Sequence, residues 1–512
     1  MMANAVEMLN ITKQFPGVLA NDNVSLIVKE QEIHGFLGEN GAGKSTLMNI
    51  LYGLQKPDSG KILLYGKEVS IDSPLSALSM GIGMVHQHFM LVPSLTVLEN
   101  IILGSAPKKN LLIDKAIAIK KIKTIIEKYN LHVDLDAKVY QLSVGQRQRI
   151  EIIKALYRGA KLLILDEPTA VLTPPEIKDL LIILENLRKQ GCSIILITHK
   201  LKEVLSITSR ITVMRKGIVT GVVNTSETNE NELTKLLVGR EVDLKLSRLP
   251  YKPGEEVFRV EDLHVLNERG LPAVKGVSFG LNNGEIIGIA GVEGNGQTEL
   301  IEAIAGMLPS QKGKVMFKGK SIERLSIRER RNMGLGHVHE DRLKVGGAPT
   351  CSIEDNLILN KYNRRPFSRF GILSKKRIEQ FATDLARRFS VKVPDVKYEL
   401  GTLSGGNIQK VIIAREMESD PDVLIASQPT RGVDIGAIEY IHRQLLDLRD
   451  KGKSIILVSA ELDEIMSLSD RIIVMYEGKI SGVFEAGAAT ETDIGLYMTG
   501  GAVETTLDRS VI

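Results

Sequence analysis

Gly38-Glu39-Asn40-Gly41-Ala42-Gly43-Lys44-Ser45 has the spacing G-x-x-x-x-G-K-S, with the apolar run IHGFL before it and the periodic stretch STLMNILYGL after it. Strand, glycine loop and helix in that order make a phosphate cradle. The glycines let backbone amides turn toward phosphate oxygens, and the helix opening at Lys44, Ser45 and Thr46 presents its positive end. The Lys44 ammonium then reaches the β- and γ-phosphates of a nucleoside triphosphate. The Ser45 hydroxyl is an oxygen ligand for magnesium. A glycine turn that only packs a helix on a sheet needs neither Lys44 nor Ser45.

Downstream, KLLILDE ends an apolar run on Asp166 and Glu167. Two adjacent acids closing a buried strand are hard to explain by packing, and the carboxyl end of a strand is where an open α/β sheet presents ligand-binding residues. Asp166 suits the coordination shell of magnesium, and Glu167 is placed to take a proton from an attacking water. His199 closes SIILITH in the same way. A lone histidine is more often structural, but this one ends a core strand at the edge that carries Asp166, within reach of a γ-phosphate.

The elements that must hold these groups occur twice. EIHGFLGENGAGKSTLMNILYGLQKPDSGKILLYGKEV from Glu32 aligns with EIIGIAGVEGNGQTELIEAIAGMLPSQKGKVMFKGKSI 253 residues later, and LSVGQRQRIEIIKAL from Leu142 aligns with LSGGNIQKVIIAREM 261 residues later. The second copy is therefore about eight residues longer, and the Arg-rich stretch Asn363 to Leu373, with Pro366 and Gly371, is the expected surface insertion. Apolar runs such as LLIL and SIILIT read as buried parallel strands alternating with helices. The expected class is α/β, with two tandem P-loop NTPase domains that each have a mixed sheet core and a helical subdomain. The expected boundaries are residues 1–245 and 257–500, joined by a Pro-containing linker at 246–256 and followed by a tail at 501–512.

Length and composition agree with two ordinary cores, since 512 residues exceed one domain and 43% are hydrophobic. Sixty-six Lys and Arg against 62 Asp and Glu, without long runs of one sign, give no footprint for nucleic acid. Cys192 and Cys351 lie far apart without metal-ligand spacing, and both read as buried fillers in a reducing compartment. No apolar run approaches the roughly 18 to 20 residues of a membrane span, and MMANAVEMLN lacks the pattern of a secretory signal.

The pentapeptides LSVGQ at Leu142 and LSGGN at Leu403, with the P-loop, Gln87 in MVHQHF and His199, resemble the ATP-binding subunits of ABC transporters over nearly the whole chain. The resemblance implies ATP and magnesium as ligands, with head-to-tail pairing in which each ATP lies between one P-loop and the opposite pentapeptide. It assigns Gln87 to magnesium, water and communication with membrane subunits, and Phe15 to adenine stacking, although core packing of Phe15 is an open alternative. The segment from His88 to Gln141 becomes a helical subdomain that grips a permease, with Leu98-Glu99-Asn100-Ile101 as the expected contact and internal packing as the alternative.

Against that family pattern the second copy is altered where chemistry occurs. Gln297 stands for the P-loop lysine, Ser427 and Gln428 for the acidic pair, Ala460 for the histidine and Glu340 for the loop glutamine. One composite site would combine Lys44, Ser45, Gln87, Asp166, Glu167 and His199 with Ser404, Gly405, Gly406 and Asp434. The other would have Gln297 and, from the first copy, Ser143, Val144 and Gly145. Gly291, Gly294 and Gly296, with Thr298 as a magnesium ligand, leave that second site able to bind nucleotide but slow to turn it over.

A fused pair with this asymmetry resembles the bacterial simple-sugar and nucleoside importers. MVHQHFMLVPSLTVLENIILG and HVHEDR at His337 are nearest the nucleoside branch. The implied partners are two integral membrane permeases and an extracytoplasmic substrate-binding protein, with the chain peripheral on the cytoplasmic face of the cell membrane. A ribosome-associated twin-cassette ATPase is the rival class, but those relatives usually carry a long charged linker and keep both acidic pairs.

Overall fold

The computed structural model describes residues 3–86, 89–109, 112–169, 172–240, 248–252 and 254–501. Gln87, part of the expected linker and nearly all of the expected tail lie outside the described residues. The chain divides into two compact units, residues 1–242 and 243–512.

In the first unit the strands Leu162–Asp166, Ser193–Thr198 and Ile33–Gly38 are adjacent and parallel. They sit inside a six-stranded sheet that continues to Ile82–Val85 on one side and to Arg210–Arg215 and Ile218–Asn224 on the other. Only the last pair is antiparallel. Leu163 and Leu165 face one core and Leu162 and Ile164 the other. Burial on both faces is why these strands read as continuous apolar runs rather than alternating ones.

One core joins the sheet to the helices Val97–Ile102 and Val144–Tyr157. The other joins it to the helix Lys44–Leu51 and to an antiparallel sheet built on the strands Asn4–Phe15 and Val18–Lys29. Both faces of the sheet are thereby covered, and its carboxyl ends are left for ligands.

The second unit repeats this plan. Its six strands run Leu335–Val338, Val423–Ser427, Ser454–Val458, Ile286–Ala290, Arg471–Tyr476 and Lys479–Glu485, the same order as the first unit, with the four-stranded sheet also repeated. Among the described residues no helix is long and apolar enough to cross a membrane.

Three sequence expectations need correction. The extra residues of the second copy are spread out rather than gathered at 363–373. The offset between copies is 253 at the strands Ile82–Val85 and Leu335–Val338, 256 at the helices Val97–Ile102 and Ile353–Ile358, and 260 at the helices Lys115–Tyr129 and Lys375–Arg388. The first increment coincides with a π-helical turn at Arg342–Gly346, and part of the stretch expected to be loop is a short ribbon. Cys192 is buried and its thiol is pushed up to about 12 by desolvation, but Cys351 is exposed. Leu98, Asn100 and Ile101 are buried, and Asn100 bonds the backbone of Val92 and Thr96, so that patch packs internally.

Candidate nucleotide site

The helix Lys44–Leu51 opens at Gly43, whose φ of 99° is left-handed, and no side chain caps its first turn. Its leading amides are therefore available to an anion. A Cβ on Gly43 would stand 2.2 Å from the Ala20 carbonyl oxygen, so the hairpin strand presses on the loop and only glycine fits. Asn21 Nδ2 donates to the Gly43 carbonyl at 3.2 Å and fixes the same junction. The Lys44 side chain is buried, and its ammonium donates to the carbonyls of Gly38 at 2.6 Å and Glu39 at 3.0 Å. Burial lowers the Lys44 pKa, while Glu167, Asp166 and Glu39 oppose that shift. Asn40, Gly41 and Ser45 are exposed, with Ala42 buried beneath them and Thr46 half-buried.

Strand register brings the remaining groups to this loop. Asp166 pairs with Ile197, and Thr198 with Leu37, so the P-loop, His199 and the acidic pair leave three neighbouring strand ends. Burial raises the Asp166 pKa, Glu167 raises it further, and Lys44 and His86 lower it. A carboxylate in that state is stabilised by any cation brought beside it. Glu167 takes a left-handed φ of 47°. Its Oε1 lies 2.9 Å from His199 Nδ1, and that hydrogen bond is the main cause holding its carboxyl below the ordinary range.

Phe15 ends its strand half-buried and belongs to neither core of the unit, with the Lys13 ammonium 5.8 Å from its ring centre.

The second unit keeps the frame and changes the chemistry. Gly296, at φ 97°, opens the helix Gln297–Ala305 without a side-chain cap, and Gln297 Nε2 donates to the Val292 carbonyl at 3.3 Å where the lysine had bonded its own loop. Gly291 leaves room for that amide, since a Cβ there would stand 2.0 Å from Gln297 Nε2. Gln428 repeats the left-handed φ of 47°, and its Oε1 accepts from the Ala460 amide at 3.0 Å. Ser427 is buried, and among the described residues its hydroxyl has no hydrogen-bond partner. Ser427 and Gln297 line a small hollow with Thr298, Glu302, His339 and Glu340. Gly294, at φ 92°, is exposed.

The two pentapeptide loops also differ. Ser143 caps the helix Val144–Tyr157, and Glu176 Oε1 accepts from the Gly145 amide at 3.2 Å and from the Ser143 hydroxyl at 3.4 Å. The helix Gly405–Met417 begins at Ser404 with no side-chain cap. Arg342 donates to the Gly405 carbonyl at 3.0 Å and also bonds the Arg431 carbonyl, bracing the loop from behind. Asp434 spends one oxygen capping the helix Ile435–Asp450 at Ala437, and the other faces Gly406. Glu176 did not stand out in the sequence, although Thr173-x-x-Glu176 is a legible capping box, and Arg342 closes the HVHEDR stretch without that motif indicating a contact to Gly405.

The ABC transporter family model matches residues 21–170 and 274–431. The guanosine import ATP-binding protein NupO of Bacillus subtilis (strain 168) is 49% identical over 499 residues, covering 98% of each chain. The chain belongs to the ABC transporter family. The nucleoside import ATP-binding protein NupA of Lactococcus lactis subsp. cremoris is 46% identical, over 98% of this chain and all of that relative. A glucose import ATP-binding protein of Haloferax volcanii is 44% identical, over 97% of this chain and 96% of that relative.

This ABC family member is an ATPase that takes ATP with magnesium. The donor set fits the ion, because the Asp166 carboxylate and the Ser45 hydroxyl are hard oxygen ligands and Asp166 is held where a cation stabilises it. Bound magnesium supplies neutralisation of phosphate charge. The open helix start offers amides to phosphate oxygens. A Glu167 carboxylate kept anionic by His199 is competent to accept a proton.

Proposed function

We propose that the chain is the ATP-hydrolysing subunit of an importer whose cargo is a nucleoside. The observation that carries this reading is near full-length identity of 49% and 46% to proteins named for guanosine and nucleoside import. Residues 1–245 and 257–500 act as two nucleotide-binding domains joined by 246–256, with a tail at 501–512. Two permeases and an extracytoplasmic binding protein complete the assembly, and the chain sits on the cytoplasmic face of the membrane.

Within that assembly one ATP site does the chemistry. Lys44 offsets charge on the transferring phosphoryl group, Ser45, Asp166 and Gln87 hold magnesium, and Glu167 takes the proton of the attacking water, oriented by His199. Ser404, Gly405, Gly406 and Asp434 close this site from the opposite half, and Phe15 stacks on adenine. The second site has a neutral amide at Gln297 and no acid at Ser427 or Gln428. It binds nucleotide through Gly291, Gly294, Gly296 and Thr298 and hydrolyses it slowly. Glu176 strengthens the asymmetry, because its carboxylate already occupies the amide that the first unit's loop would offer a phosphate.

Simple-sugar import is the second reading, favoured by the 44% identity to a glucose importer subunit. Uptake of labelled guanosine, other nucleosides, glucose and ribose, in cells lacking the chain and then given wild type or Glu167→Gln, separates the readings. Nucleoside uptake restored by wild type alone is the expected result. Restored sugar uptake shifts the cargo, and restoration of neither removes import.

A further inference from the structure

In the second unit the strands Ser368–Arg369 and Ile372–Leu373 pair as a ribbon turned by Phe370 and Gly371, at φ 51° and 82°. Two left-handed residues in a two-residue turn favour Asn-Gly, and a bulky aromatic in the first place is strained. The same Phe370 is 90% exposed, with Ile372 at 76%. One residue thus carries two unfavourable choices.

The ribbon is not loosely held, because Phe367 at its base is buried with Ile358 and Ile378 and stacks edge-on against Phe381 at 4.8 Å. From Lys361 to Ile378 there are seven Lys and Arg and no acid. Arg364, Arg365, Arg369, Lys375, Lys376 and Arg377 are exposed, and the Arg369 guanidinium lies 5.4 Å from the Phe370 ring centre. The first unit has a matching ribbon, Lys108–Lys109 with Leu112–Ile113, where Ile113 is 54% exposed and Lys115 follows.

We infer that this ribbon tip, Phe370 with its surrounding arginines, docks on the anionic lipid headgroups of the membrane surface. A fixed apolar tip ringed by cations is the arrangement that enters the boundary of an anionic bilayer. Cytoplasmic loops of permeases carry excess Lys and Arg, so they repel such a surface. The inference rests on the peripheral-membrane reading only for its setting.

The test is co-sedimentation of the full chain with vesicles of phosphatidylcholine alone or mixed with phosphatidylglycerol, at low and high salt. Phe370→Asn, which suits the left-handed turn, removes the apolar tip, and a triple Arg364→Gln, Arg365→Gln, Arg369→Gln variant removes charge. Wild type should bind only the mixed vesicles and release in high salt. Phe370→Asn should bind roughly tenfold more weakly, and the triple variant on the order of 100-fold. ATP turnover, measured in the same preparations, should not change, so loss of the ATPase reading is seen separately. Equal binding to neutral vesicles, no binding, or variants that bind like wild type overturns the proposal. Loss of permease co-purification with vesicle binding intact assigns the surface to the permease instead.

Discussion

Glu176 Oε1 accepts the Gly145 amide at 3.2 Å, so the pentapeptide loop of the first unit is bonded to a carboxylate of its own chain. The equivalent residue of the second unit is Ala437. Glu176→Ala copies the second unit and frees the Gly145 amide. On the paired-site reading, a nonhydrolysable ATP analogue should then bind the weaker site roughly tenfold more tightly in two-site calorimetry. Glu176 Oε2 also accepts from the Thr173 amide and hydroxyl, each at 3.1 Å, so the alanine should cost about 1 kcal/mol of stability. Unchanged affinity alongside that stability loss would confine Glu176 to capping.

Glu167→Gln should lower steady-state ATP hydrolysis by roughly a thousandfold while ATP binding persists. Gln428→Glu should add little to wild-type turnover, because the second P-loop still has Gln297 in place of lysine. Phosphate release and filter binding read both variants. Comparable activity in Glu167→Gln ends the one-engine account.

An acidic side chain at either pentapeptide separates the two loops. On the head-to-tail reading, Gly405→Asp would put negative charge at the uncapped helix start that closes on the γ-phosphate, and turnover should fall by on the order of 100-fold. Gly145→Asp alters a loop already bonded to Glu176 and should change turnover severalfold at most. Equal damage from both substitutions would show that the head-to-tail assignment is wrong.

His199 sets the acid side of the pH profile. Its hydrogen bond is the main cause holding the Glu167 carboxyl below the ordinary range, while burial pushes the other way. Wild-type Glu167 therefore stays anionic to lower pH than a free glutamate. Its depressed pKa contributes stability at neutral pH that is lost as pH falls through the folded value. In His199→Ala the burial effect remains, so the acid limb of kcat/KM should move to higher pH. An unmoved limb would remove His199 from control of Glu167.

The parts legible in sequence were local or periodic. Gly38 to Ser45 is one continuous motif, Asp166 and Glu167 end an unbroken apolar run, and the repeat forecasts one strand order used twice. The unread parts depend on tertiary approach. Thr173-x-x-Glu176 shows a cap, but the reach of Glu176 across 31 residues to Gly145 appears only when the two helices are packed. Arg342 bonds Gly405 from the start of a π-helical turn, and the HVHEDR stretch that it closes does not reveal that contact. Leu98 and Ile101 fit either an inward or an outward amphipathic face until their neighbours are known, and Cys351 has no pattern that fixes its burial.

Glu167 and Gln428 share a left-handed backbone, yet only one of them can titrate. Each ties its strand end to the next, Glu167 through an imidazole and Gln428 through the Ala460 main-chain amide. Acidification therefore unfastens the clasp of the first half and leaves that of the second closed. At low pH the second half therefore keeps a strand-end tie of the kind that the first half loses.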